Sequence, residues 1–131
     1  MLGAEIVTYL QTEGLGTVDV NLFGVAFPHD APDAAVCVVE HEGRSVGTFG
    51  DSLSAEALQD AEFQVIVRGA RDAAGAARTK AAAVRDKLNR LGPVTLSGTR
   101  YLNVLASTVY WIRWDDEGRA LYGIRCLADK E

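Results

Sequence analysis

Leu2, Ile6 and Leu10 fall four residues apart, the period of one helix face. Gly14 follows where a left-handed residue commonly closes a helix, so a first helix is predicted over residues 2–13. Residues 14–34 read as loop, punctuated by Gly14, Gly16, Gly24, Pro28 and Pro32, with a short strand available between Leu22 and Phe27. Ala35 to Val39 is apolar on both parities and ends at Glu40, the pattern of a strand covered on both faces. The pattern then dissolves. Gly43, Gly47 and Gly50 with Ser45, Ser52 and Ser54 predict a long mobile loop over 42–61, with a single turn capped by Ser54.

Alternation returns at Phe63, Val65 and Val67. Beyond it, Ala77, Ala81, Val84, Leu88 and Leu91 make an apolar helical face, with Asp72 as the predicted cap and Gly92-Pro93 as the stop. That helix would span ~19 residues, or ~28 Å. Strand character fills the remainder: Val94–Leu96, Leu102–Trp114 and Arg119–Leu127. Asp115-Asp116-Glu117-Gly118 would join the last two as a hairpin, Gly118 supplying the positive φ. The predicted fold is α+β. It is a single domain over 1–131, with a mixed or mostly antiparallel sheet of four or five strands and two helices packed on one face.

At 131 residues and 48% hydrophobic, the chain can build a core without staples or metals. No apolar run approaches the ~20 residues that span a bilayer, and the first residues carry no basic n-region. The expectation is a soluble globular domain made in the cytoplasm, with no membrane partner. Charge is unevenly placed. Residues 1–62 hold eleven Asp/Glu and one Arg, net −10, while residues 63–131 hold twelve Lys/Arg and seven Asp/Glu, net +5. The two halves sum to the whole-chain −5. This balance argues against sequence-specific nucleic-acid binding, and opposite halves can instead attract copies of the chain head to tail.

Little in the chain points to catalysis. Cys37 and Cys126 sit in apolar runs, lack a CxxC pattern and read as free core thiols. Cys37 and His41 on one strand would stand about 13 Å apart at ~3.3 Å per residue, too far for a nucleophile–base pair. His29, with Asp30 and Asp33, and His41, between Glu40 and Glu42, lack the spacing of a recognised metal site. The serines have no nucleophile elbow, and Gly47-Thr48-Phe49-Gly50 lacks the phosphate-loop pattern. The reading is a protein without catalytic residues, metal or cofactor. One feature of the long helix does suggest contact. From 71 to 90 it carries six Lys/Arg against two acids, and Arg71, Arg78 and Arg85 recur every seven residues. They form a candidate stripe for an acidic partner surface, set against the alternative of a solvated face.

Several ordered pieces carry a resemblance. Gln64-Val65-Ile66-Val67-Arg68-Gly69, an alanine-rich helix, Val94-Thr95-Leu96-Ser97-Gly98-Thr99-Arg100-Tyr101 and Asp116-Glu117-Gly118-Arg119 stand in one order. With the amino-terminal helix, Asn21-Leu22-Phe23 and the loop at Pro28, the chain resembles the tail terminator (minor capsid) proteins of long-tailed bacteriophages. It departs from them at Ala73, where an aromatic residue is frequent, and in the aromatic run Trp111-Ile112-Arg113-Trp114. The resemblance implies a non-enzymatic subunit of a hexameric ring at the head-proximal end of the tail tube. Such a ring stops tube polymerisation and meets head-completion proteins; it would be assembled in the host cytoplasm and reside in the virion. Arg100 and Arg119, inside the matching motifs, join Arg71, Arg78 and Arg85 as candidate interface residues. The alternatives are another head–tail joining (neck) protein or a small bacterial ligand-binding α+β domain.

Overall fold

The computed structural model describes residues 2–41, 44–45 and 59–130. Along the chain run α1 (Leu2–Thr12), β1 (Leu22–Gly24), β2 (Ala35–Glu40), β3 (Arg44–Ser45), β4 (Gln59–Arg71) and α2 (Ala74–Leu88). Then follow β5 (Val94–Leu96), β6 (Thr99–Ala106), β7 (Tyr110–Trp114) and β8 (Arg119–Lys130). The strands form one sheet in the order β1-β2-β4-β8-β6-β5, with β3 beside β4 and β7 beside β8. Among the described strands β1 and β2 pair in parallel and the other strand pairings are antiparallel. The sheet is therefore mixed, as expected, but the eight strands among the described residues exceed the four or five predicted. The excess over five lies in β1, read only as an available short strand, in β3, and in the division of the strand expected over 102–114 into β6 and β7; β1 and β3 have three and two residues, too few to show a period.

The spine is the β4–β8 pair. Phe63, Val65 and Val67 point to the helical side, opposite Cys126, Ile124 and Tyr122. Val38 and Val36 of β2 continue the Val65 and Val67 rows. Onto this surface α1 sets Leu2, Ile6 and Leu10, and α2 sets Ala77, Ala81, Val84 and Leu88; both join one buried cluster. Hiding each large apolar side chain contributes ~1.5–3 kcal/mol. At Gly69 the α2 backbone comes so near that an added Cβ would lie 2.8 Å from the Ala77 Cβ. The helices are tied together by the Tyr9 hydroxyl, which donates to the Lys87 carbonyl at 3.2 Å.

Several boundaries differ from the sequence reading. Asp72 does not cap α2: its φ is +56°, and Ala73 takes the cap position without a side-chain hydrogen bond. The strand continues to Arg71 and turns sharply into the helix, which leaves Arg71 on β4. The helix also stops at Leu88 rather than Gly92, because Arg90 and Leu91 leave it to bond Val104 across a bridge. The strand expected over 102–114 is broken at 107–109, where the run is longer than its partner segment on β8. There the Ser107 hydroxyl accepts the Arg125 N–H at 3.0 Å. Of the mobile loop expected over 42–61, residues 44–45 and 59–61 are strand; 42–43 and 46–58, with the Ser54 turn, lie outside the described residues.

Candidate subunit interface

An interface requires surface that the fold itself leaves uncovered, and among the described residues two such regions carry exposed tryptophans or leucines. The first is the flank formed by β7. Among the described residues this strand pairs only with β8, so its other edge presents unpaired backbone groups. Trp111 and Trp114 remain 45% and 49% exposed on it. They are held rather than loose. The Trp111 ring meets Tyr122 edge-on at 5.3 Å and Trp114 edge-on at 5.3 Å, and Tyr122 packs against the core. Rigid, half-exposed indoles are a common composition of interface anchors.

The second region is the sheet face turned away from the helices. Leu105 and Leu127 sit opposite each other on β6 and β8, 50% and 39% exposed. With His41, Glu62, Gln64 and Arg125 they line a shallow hollow of about 450 Å³. Next to it the Tyr110 ring lies over Gly123, where a Cβ would come within 2.5 Å of it, and its hydroxyl accepts from the Gln64 amide. The far end of this face is closed by the proline loop. Arg68, nearly buried, donates to the carbonyls of Asp33 and Pro32 at 2.8 Å each and stacks 4.3 Å from the Phe27 ring.

The five candidate arginines do not form one stripe. Arg78 is exposed on α2 and Arg71 is exposed at the end of β4. Arg85, two turns after Arg78, is half-buried and donates from Nε to the Ser107 carbonyl at 2.8 Å. Arg119 is held by three carboxylates, Asp115 at 2.7 Å, Glu117 at 2.8 Å and Asp33 at 3.0 Å. Arg100 is exposed on β6 beside Thr95. Its neighbour Tyr101 pairs with Lys130, so Arg100 and Arg119 lie near opposite ends of β8, ~36 Å apart at ~3.3 Å per residue.

The Bacteriophage tail terminator protein family model matches residues 9–130. The chain belongs to the bacteriophage tail terminator family. Among solved structures, a chain of the "Virion of native gene transfer agent (GTA) particle" is similar in fold, with a TM-score of 0.73 at 19% identity. The match covers 99% of this chain and 94% of that one. No match is found among curated proteins. As a tail terminator family member, the chain is a structural tail protein.

Burial pushes the thiols of Cys37 and Cys126 up to about 11 and about 12, so both are protonated at neutral pH. His29 and His41 are exposed, and among the described residues no three His, Cys, Asp or Glu converge as a metal site. Among the described residues no helix is long and apolar enough to cross a membrane. The interface features that sequence reasoning did not select are Trp111, Trp114, Leu105 and Leu127. The tryptophans carried a signal in the aromatic run that departs from the family. The two leucines carried none, because an apolar residue on a strand reads as core whichever face it occupies.

Proposed function

We propose that this tail protein closes into a hexameric ring on the head-proximal end of the tail tube, ends tube polymerisation and offers its free side to head-completion proteins. It would be assembled in the host cytoplasm and retained in the virion. Family membership supports the setting. The observation that carries the ring is the pair of unlike uncovered surfaces, an aromatic edge and a leucine-bearing sheet face, on a fold whose own core is already complete. A ring needs one patch to meet a different patch on the next copy, which a self-complementary surface does not provide.

The charge arrangement favours the same reading. In the sheet order, α1, β1 and β2 of the acidic part lie toward one side, and β8, β6 and β7 of the basic part toward the other. The test is mass photometry of the purified protein with and without preformed tail tubes. A six-copy species, or tubes bearing a terminal ring and refusing further growth, is the expected result. Tubes that continue to lengthen in a saturating excess of the protein would remove capping as the function.

A further inference from the structure

Residues 25–34 cross the sheet face turned away from the helices, and few contacts fasten them. Within 26–34, Phe27 and Ala31 are half-buried and the rest are exposed, so the segment adds no buried side chain to the core. Among the described residues, the hydrogen bonds and ion pairs from 26–34 to the rest of the molecule all end on two arginines. Arg68 of β4 donates to the Pro32 and Asp33 carbonyls and stacks on Phe27; Arg119 of β8 pairs with the Asp33 carboxylate. The two guanidiniums lie close enough to repel each other, and the carboxylates of Asp115, Asp33 and Glu117 offset that repulsion. Between Phe27, Pro28 and His29 on one side and Asp115, Asp116 and Glu117 on the other lies a hollow of about 420 Å³. The segment bridges space there instead of packing on the sheet.

One end is strained. Val25 has φ +83°, a conformation its β-branched side chain disfavours, and its side chain is exposed. Strain of this kind persists only where surrounding bonds over-determine the backbone. Here those bonds are the Val25 N–H to the Val38 carbonyl at 2.8 Å and, beyond it, the two arginine clamps. The other end enters β2 at Ala35. Val36 and Val38 belong to the cluster beneath the helices, so Ala35 and Cys37 face the opposite side, together with Arg68, which pairs with Ala35. Arg68 thus carries the segment across the face that Ala35 and Cys37 present. Both residues are buried, although neither belongs to the cluster beneath the helices. A segment with few buried contacts, a strained end and two side-chain clamps opens at a lower free energy than the sheet it covers.

We propose that residues 25–34 form a strap that swings off the sheet about Val25 when Arg68 and Arg119 release it, exposing Ala35 and Cys37 beside the leucine-bearing face. The motion belongs to the single subunit and stands whether or not the ring forms. Cys37 reports the opening, and Cys126, buried in the cluster beneath the helices, reports unfolding of the core. The test alkylates the full native chain with iodoacetamide in a series of low urea concentrations and follows each thiol by peptide mass spectrometry. Opening the strap exposes little surface, so the Cys37 rate should stay nearly flat where the Cys126 rate climbs steeply. Without urea, Cys37 should react at least ~10-fold faster than Cys126. Two variants then address the clamp and the hinge. Asp33→Lys, which sets a third cation against the two guanidiniums, should speed Cys37 about 5-fold. Val25→Asn, a residue that tolerates positive φ, should slow Cys37 at least ~3-fold. If Cys37 reacts with the rate and urea slope of Cys126, the segment opens only with the whole fold and the proposal is overturned. A separate Cys37 opening that neither variant alters overturns it equally, because clamp and hinge would then play no part.

Discussion

Glu5 is buried on α1 beside a core of aliphatic residues, yet it is well accommodated. The Thr99 hydroxyl donates to one of its carboxylate oxygens at 2.9 Å and the Tyr101 hydroxyl to the other at 3.1 Å. Burial first, and the Glu5 charge second, hold the Tyr101 hydroxyl protonated far above its ordinary range. Tyr101→Phe should therefore lower stability by about 1–3 kcal/mol, since it takes a donor from a buried carboxylate; urea unfolding measures this. Asp115 behaves differently. Burial would raise its carboxyl, but hydrogen bonds from the Arg119 and Glu117 N–H groups and the Arg119 side chain outweigh that and hold it below the usual range. Its stabilisation is complete above the unfolded value near ~4 and fades as pH falls through the lower folded value. Acid unfolding of Asp115→Asn should accordingly show a shallower loss below pH ~4 than wild type. At this scale the sequence was legible where one residue type decides: both cysteines read as core and are buried. Glu5 was not legible, because its partners lie more than ninety residues away.

Helix α2 shows what periodicity conveys and where it ends. Ala77, Ala81, Val84 and Leu88 were readable as its buried face, and all four are buried. Its ends were not readable, because they are set by tertiary bonds: Asp72 N–H to the Gly118 carbonyl at one end, and Arg90 and Leu91 to Val104 at the other. Seven-residue spacing puts Arg78 and Arg85 on one flank, but what covers that flank differs along its length. The β6–β7 junction reaches Arg85, and Arg78 stays exposed. Their charge reversals should then separate. Arg78→Glu should change stability by no more than ~0.5 kcal/mol, whereas Arg85→Glu should cost about 1–3 kcal/mol by leaving the Ser107 carbonyl without its charged donor. Chemical denaturation of the two variants side by side checks the difference. Leu88→Ala, which empties a fully buried site at the end of the same face, should cost ~2–5 kcal/mol.

Over the whole molecule, the acidic and basic parts of the sequence become two sides of one sheet, which no local pattern could reveal. Exposed charges on those sides are screened beyond ~8 Å at physiological ionic strength. Copy-to-copy association should weaken as salt rises if charge steers it, and sedimentation in a salt series reads the slope; an indifferent oligomer would assign the contact to the tryptophans alone. The family resemblance was legible in ordered short motifs, and the match over 9–130 agrees with it. The candidate interface was only half legible, since a tryptophan or leucine on a strand shows its exposure only once the sheet is assembled. The central claim, a ring that ends tail growth, is tested most directly by electron microscopy of particles made in cells lacking this gene, with tail length measured against wild type. The account predicts tails of abnormal, variable and greater length without attached heads, restored to uniform length by the wild-type gene. Tails of normal length joined to heads would contradict it.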